Sequence, residues 1–215
     1  MNINTFYTSL AAASTTFSAL PFVVGLICIK HIKEYLIPLF LIVVVSLITD
    51  VINYILINSH INNLYVFHIF TFIEFTLICF FYKIFFSKYF NSVYLLLFIP
   101  GFLIVALIDY KINGLRSMDN FSSSVESILL SLFALFSFFF VMQKMIFENI
   151  LSTPFFWINS GILLYFSGNL LYFTFSNYLH TTESSNHLAV WMISSFLNIF
   201  YNILISIGFW KAKTR

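Results

Sequence analysis

Seven stretches of this sequence are each apolar over the length of a helix that crosses a lipid bilayer. Crossing the hydrocarbon core takes about 20 consecutive apolar residues in a helix. Only 8% of the 215 residues are charged, whereas soluble domains carry roughly 25%, so the composition leaves no room for a water-soluble domain. The sequence therefore predicts an all-α membrane protein, a seven-transmembrane helix bundle in a single polytopic domain. The predicted spans are residues 10–29, 35–57, 64–86, 93–108, 125–147, 155–178 and 188–210.

The lysines and arginines predict the orientation of this bundle. Eight of the ten lie in the first, third and fifth connections or in the C-terminal tail, and the other two lie in the fourth connection. Because positive residues are retained on the cytoplasmic side, we expect the N-terminus outside and the C-terminus in the cytoplasm of a multi-pass protein of the plasma (inner) membrane. The formal charge of +2 does not indicate nucleic acid binding. The expected partners are the lipid bilayer and a protein on the cytoplasmic side.

Local signals predict how three of the helices begin or bend. Pro100 and Gly101 predict a kink in the fourth span. The sixth span is expected to begin at Ser152-Thr153-Pro154, where a capping hydroxyl precedes a proline suited to the first turn. Ser123 and Glu126 have the spacing of a capping box and predict the beginning of the fifth span.

Five of the eight acidic residues lie at helix ends or in connections, where we expect solvent to reach them: Glu34, Asp109, Asp119, Glu148 and Glu183. Two predicted spans, in contrast, carry carboxylates well inside their apolar runs. Glu74 lies ten residues into the third span, about 15 Å along a helix axis that rises about 1.5 Å per residue. Asp50 lies seven residues before the outer end of the second span, about 10 Å from that end. An ionised carboxylate in hydrocarbon costs several kcal/mol unless it is paired. Both residues are therefore candidate functional groups, and His68, a bound cation, water or a proton would compensate their charge.

The second and third spans are expected to form a hairpin around the turn at residues 58–63. Folding the two helices symmetrically about that turn places Asn53 level with His68. The same register places Asp50 level with Thr71. The hairpin alone therefore predicts a layer of polar side chains within the membrane.

Two further spans, the sixth and the seventh, carry polar side chains at a similar depth. Asn169 lies nine residues, and Asn198 ten residues, from the outer ends of their spans. Such side chains also hydrogen-bond between membrane helices simply to hold them together, so a packing role stays open beside a binding role. The candidate polar pocket in the outer half of the bundle comprises Asp50, Asn53, His68, Thr71, Glu74, Glu126, Tyr165, Asn169, Asn198 and Asn202.

Two short motifs and one longer run lie in or beside the predicted spans. They are Asn62-Asn63-Leu64-Tyr65, Glu74-Phe75 and the run FFWINSGILLYFSGN from Phe155 to Asn169. With these motifs, most of the chain resembles a group of small uncharacterised bacterial seven-span integral membrane proteins, some of which accompany sensor kinases. The resemblance implies the same span count in a bacterial membrane protein and implies no established activity.

Three functions fit this pattern. The favoured hypothesis is a sensor or receptor-like, partner-regulating membrane protein, since a polar pocket opens to the outer leaflet and the sequence has short connections and no catalytic motif. An intramembrane lipid-modifying enzyme is the second hypothesis, in which Asp50, His68 and Glu74 hold a metal or act as acid and base. A proton- or cation-coupled transporter is the third, because carboxylates near the midplane are common coupling sites. No cofactor is predicted.

Overall fold

In the residues that it describes, the computed structural model of the chain is all-helical, which confirms the all-α part of the predicted fold class. It describes residues 3–114, 120–181 and 185–213. Most of the described residues are helical, and the described part contains no strand. The α-helices of the described residues, α1 to α8 in chain order, are Ile3–Phe17, Ala19–Ile27, Ile37–Asn58, Leu64–Phe86, Phe98–Asn113, Asn120–Gln143, Pro154–Thr181 and Ser185–Lys213.

Five helical stretches among the described residues are long and apolar enough to cross a membrane. They involve α3, α4, α5, α6 and most of α8 and indicate a multi-pass membrane protein. A shorter apolar stretch, Ala12–Ile27, covers parts of α1 and α2, and α7 is not among the five. The seven-span count and the orientation stay predictions. The five stretches are Glu34–Asn58, Leu64–Phe86, Ser92–Asn113, Asn120–Gln143 and Trp191–Lys213.

Proline explains why α1 and α2 are separate helices. Pro21 has no backbone N–H, and its ring collides with the carbonyl four residues earlier in a continuous helix. That carbonyl belongs to Phe17, the last residue of α1. The Ser18 hydroxyl between the two helices donates to the Thr15 carbonyl at 2.7 Å. A side chain therefore provides a hydrogen bond to a carbonyl in the last turn of α1.

The fourth predicted span begins as a 3₁₀ helix and continues as an α-helix, whereas the sequence predicted a kink at Pro100 and Gly101. Residues Ser92–Leu97 form a 3₁₀ helix that leads into α5, and Pro100 lies in the first turn of α5. A proline in the first turn interrupts no hydrogen bond of its own helix. The expected bend at Pro100 is therefore replaced by a 3₁₀-to-α junction just before it.

Two of the predicted helix beginnings have different outcomes. Helix α7 begins at Pro154, and the Thr153 hydroxyl accepts a hydrogen bond from the Phe156 N–H at 3.3 Å, which confirms that cap. The capping box of Ser123 and Glu126 is wrong, because α6 begins at Asn120 and both residues lie inside the helix.

Helices α3 and α6 end with the same backbone motif. After α3, the Ile61 N–H donates to the Leu56 carbonyl at 2.9 Å, with His60 in the left-handed region at φ 56°. After α6, the Ile146 N–H donates to the Val141 carbonyl at 3.2 Å, and Met145 has φ 46°. This is the Schellman motif, whose left-handed position is usually glycine.

The chain folds into two compact units, which we call unit 1 and unit 2. Unit 1 comprises residues 1–32, 127–172 and 179–215, and unit 2 comprises residues 33–126 and 173–178. Unit 2 contains α3, α4 and α5, with α4 packed against both of the others.

In unit 2 the packed helices run antiparallel. The Tyr35 ring, just before α3, lies 6.1 Å from Phe81 and 5.5 Å from Phe85 near the end of α4. Phe75 of α4 stacks on Phe102 of α5 with ring centroids 4.1 Å apart. The beginning of α3 therefore lies beside the end of α4, and the end of α5 lies beside the beginning of α4.

In unit 1 the described helices pack through small and polar residues. Asn159 of α7 donates from its amide nitrogen to the Ala134 carbonyl of α6 at 2.9 Å. Helix α7 approaches α8 so closely that a Cβ added at Gly168 would lie 2.7 Å from Leu197 Cδ1. Small residues are typical of such close approaches between membrane helices. Helix α8 also packs against α1 and α2.

Candidate functional site

The α3–α4 hairpin of unit 2 carries half of the candidate pocket residues. Thr71 and Glu74 are buried on α4, and Glu74 is 7% exposed. Asp50 and Asn53 on α3, and His68 on α4, are half-buried. Because Glu74 lies near the middle of the 23-residue helix α4, its carboxylate lies far from both ends of that helix.

Asn53 has a defined structural partner in this hairpin. Its amide oxygen accepts a hydrogen bond from the Asn63 amide nitrogen at 3.1 Å. Asn63 directly precedes α4, so this bond joins the last turns of α3 to the beginning of α4. The sequence predicted that Asn53 lies level with His68. The bond between Asn53 and Asn63 shows that Asn53 also holds the turn between the two helices.

A further carboxylate reaches the buried face of α4 from α6. Glu126 is 3% exposed, and its carboxyl lies within electrostatic reach of the Cys79 thiol. Cys79 is fully buried and follows Glu74 by five residues, about 7.5 Å along the helix axis. Unit 2 therefore brings the carboxyl of Glu126 towards α4 about one and a half helical turns from Glu74.

The structure shows one buried carboxylate that the sequence reasoning had assigned to solvent at a membrane edge. Asp109, near the end of α5, is 0% exposed. Its Oδ2 accepts from the Ser122 N–H at 2.9 Å and from the Ser122 hydroxyl at 2.7 Å, and its Oδ1 accepts from the Asn113 amide at 2.6 Å. Ser122 lies in the first turn of α6, so Asp109 caps that helix where a negative charge is favoured.

The other acidic residues differ in their exposure. Glu34 and Glu148 are exposed, as expected from their positions at helix ends and in a connection. Asp119 and Glu183 lie outside the described residues.

Unit 1 contains the remaining four candidates. The rings of Tyr165 on α7 and Tyr201 on α8 stack with centroids 4.8 Å apart. The Asn169 amide nitrogen donates to the Tyr165 carbonyl at 3.0 Å. Asn169 is 1% exposed, and its Oδ1 meets no hydrogen-bond donor among the described residues. An acceptor in that state suits a ligand or another group that donates a hydrogen bond.

A ladder of hydrogen bonds involves the two candidates on α8. Asn198 donates from its amide nitrogen to the Ser14 hydroxyl of α1 at 2.9 Å. Asn202 donates to the Asn198 carbonyl at 2.9 Å, and the Ser206 hydroxyl donates to the Asn202 carbonyl at 2.7 Å. The Asn198–Ser14 bond joins α8 to α1, which supports the packing role for Asn198, whereas the bonds of Asn202 and Ser206 lie within α8.

The structure therefore describes the candidate residues as two sets. Asp50, Asn53, His68, Thr71, Glu74 and Glu126 belong to unit 2, and Tyr165, Asn169, Asn198 and Asn202 belong to unit 1. The hypothesis that both sets share one layer stays a prediction.

The described lysines of unit 2 lie at the ends of its helices or in connections. Lys83 and Lys111 lie in the last turns of α4 and α5, while Lys33 and Lys88 lie in connections. In the described part of the chain, no group of three or more His, Cys, Asp or Glu side chains is arranged to hold a metal ion. The lipid-modifying enzyme stays a hypothesis from the sequence.

The fold and the buried polar groups define an all-helical, multi-pass integral membrane protein. No protein-family model, curated protein or solved structure matches the chain significantly.

Proposed function

We propose that the chain is a receptor-like sensor of the plasma membrane in which the buried carboxylates of unit 2 bind a proton or a cation. The observation that carries this proposal is the burial of Glu74 and Glu126 beside α4. Carboxylates within membrane helices are expensive and commonly mark ion or ligand sites. Asp50 and His68 on the same hairpin would complete the site.

The charge distribution supports a cationic guest. Glu74 of α4 and Glu126 of α6 are both buried in unit 2, while the described lysines of unit 2 lie in last turns or connections. Burial disfavours the ionised form of a carboxylate, and a second carboxylate in the same unit disfavours it further. A bound cation or proton compensates that charge, and its release would change the helix packing around α4.

The proposed topology has seven spans, with the N-terminus outside and the C-terminus in the cytoplasm. Within unit 2, Lys33 and Lys83 lie at one end of the helices, since Tyr35 packs on Phe85, and Lys111 lies at the other end. This separation supports the orientation predicted by the positive-inside rule. The resemblance to small bacterial seven-span proteins supports a bacterial inner membrane and a cytoplasmic protein partner that reads the helix packing.

Thermal unfolding of the detergent-purified full chain tests the cation site. We expect Na⁺, K⁺, Mg²⁺ or Ca²⁺, or a lower pH, to raise the unfolding temperature of the wild type, because a ligand that binds only the folded state stabilises it. Glu74→Gln and Glu126→Gln should abolish that response and leave the apo protein equally or more stable. Glu34→Gln and Glu148→Gln remove exposed carboxylates and are the matched controls.

A different outcome would contradict the proposal. If Glu74→Gln and Glu126→Gln both lower the unfolding temperature, and no ion or pH change alters the wild type, the two carboxylates serve packing alone. A chain that also co-purifies with no other protein would argue against the sensor role.

A proton- or cation-coupled transporter is the second candidate. The observation that favours it is the position of Glu74 near the middle of α4, where coupling carboxylates of transporters commonly lie. Proton or cation flux into liposomes that carry the purified chain distinguishes the two functions. A transporter gives a flux that Glu74→Gln abolishes, whereas a sensor binds the ion and gives no flux.

A further inference from the structure

Three of the four described lysines of unit 1 lie at or just after the ends of α2 and α8. Lys211 and Lys213 lie in the last turn of α8. Helix α8 packs against α2, and the Lys213 ammonium lies within electrostatic reach of Cys28, the residue that directly follows α2. Lys30 is two residues further on and is exposed. The ends of α2 and α8 therefore carry their lysines side by side.

An aromatic ring lies within this group of lysines. The Lys213 ammonium lies 5.3 Å from the centroid of the Trp210 ring, within the range of a cation–π contact. The Trp210 side chain is 49% exposed. A half-exposed tryptophan beside lysines is typical of the headgroup level of a membrane, where its apolar ring and polar N–H are both accommodated.

Exposed apolar side chains border the same lysines. Ile27 is 57% and Ile29 51% exposed, and they flank Cys28 next to Lys30. A surface that places isoleucines directly beside ammonium groups complements an amphipathic molecule with an anionic head and an apolar chain. A soluble partner would complement the lysines and leave the isoleucines uncovered.

We propose that Lys30, Lys211, Lys213 and Trp210, which we call the basic end of unit 1, bind the headgroup of an anionic phospholipid. The lysines contact the lipid phosphate, and the acyl chain lies against Ile27 and Ile29. The proposal is independent of the carboxylate site, which belongs to unit 2.

Native mass spectrometry of the detergent-purified full chain, with added phosphatidylglycerol or phosphatidylcholine, tests this site. We expect retention of phosphatidylglycerol over phosphatidylcholine and a loss of that preference at high salt, since salt screens exposed charges. One lysine near a membrane surface contributes about a fivefold change in affinity. The triple variant Lys30→Gln, Lys211→Gln and Lys213→Gln should therefore lose roughly a hundredfold in phosphatidylglycerol affinity.

Two further variants control for charge and for position. Replacing the same three lysines with arginine should preserve phosphatidylglycerol binding, because the charge is kept. Lys111→Gln removes a lysine from the last turn of α5, in unit 2, and should leave binding unchanged. If the triple glutamine variant does not fold, Lys30→Gln and the salt titration of the wild type decide the question.

Several outcomes would overturn the proposal. Equal retention of both lipids by the wild type would do so, as would a glutamine variant that keeps its phosphatidylglycerol. Displacement of the lipid by glycerol phosphate at the same concentration would show a site for free phosphate instead. Loss of a co-purifying protein from the glutamine variant, with lipid retention unchanged, would identify a protein-docking surface.

Discussion

The buried carboxylate of Asp109 gives the sharpest stability prediction. It accepts three hydrogen bonds, two from Ser122 and one from Asn113, and a hydrogen bond to a charged group is worth about 1.5–3 kcal/mol. Asp109→Ala leaves those donors without their acceptor at the first turn of α6, and we expect a loss of about 3–5 kcal/mol. Asp109→Asn keeps the shape but turns one acceptor oxygen into an NH₂ group, and we expect a loss of about 1.5–3 kcal/mol.

Thermal unfolding of the detergent-purified variants measures this effect. For a chain of this size, 1 kcal/mol shifts the unfolding temperature by about 2–4 °C, so Asp109→Ala should unfold roughly 6–20 °C below the wild type. Asn113→Ala removes one of the three hydrogen bonds, so its unfolding temperature should lie between those of the wild type and Asp109→Ala. Glu148→Gln, an exposed carboxylate, is the control. The reasoning is refuted if Asp109→Ala unfolds at the wild-type temperature.

Two backbone predictions follow from the helix packing and helix ends. Gly208→Ala should destabilise by about 1–3 kcal/mol, because the added Cβ would lie 2.8 Å from Ile158 Cδ1, whereas Gly101→Ala, where a Cβ meets nothing within 4 Å, should be neutral or stabilising. Equal unfolding temperatures for these two variants would contradict the close packing of α8. His60→Gly and Met145→Gly should each stabilise by about 1 kcal/mol, because both residues have positive φ and glycine avoids the cost of that conformation. A lower unfolding temperature for either variant would show that its side chain contributes more than the strain costs.

The length of an apolar run predicted the bounds of a helix well where no residue of another helix caps it. The third span, residues 64–86, coincides with α4, Leu64–Phe86. The fifth span was placed at 125–147, whereas α6 covers Asn120–Gln143. The shift has a physical cause: Asp109 of α5 caps the N-terminus of α6, so the polar residues before Val125 continue the helix. A cap supplied by a distant residue leaves no local signal in the sequence.

The first and sixth predicted spans are not among the five candidate spans. They show a second reason why the length of an apolar run is an incomplete guide to membrane helices. In the first, Pro21 divides one apolar run into α1 and α2. In α7, buried Asn159 and Asn169 lie on the helix, so the polar groups that pack it against its neighbours also lower its hydropathy. Membrane helices that pack through polar side chains are the ones that a hydropathy criterion detects least well.

The sequence predicted the candidate site only as far as the distance of a residue from the end of its helix determines its burial. Counting residues from helix ends identified Glu74, which the structure buries, but the same reasoning assigned Asp109 to solvent because it lies near the end of α5. Distance from a helix end measures exposure only if no other helix covers that end. Asp109 is covered by the beginning of α6, which supplies two of its hydrogen bonds.

Burial alone therefore does not distinguish a working carboxylate from a structural one. Asp109 and Glu126 are both almost completely buried, but their positions relative to a helix terminus differ. Asp109 faces the N–H groups of a first turn, where the helix dipole favours its charge, and neutralising it must cost stability. Glu126 lies within α6, buried in the same unit as Glu74 and within electrostatic reach of the Cys79 thiol. At such a position burial disfavours the charged form, so neutralising Glu126 should leave the protein equally or more stable. Opposite signs for the two neutral variants in one unfolding experiment would thus separate the helix cap from the proposed cation site.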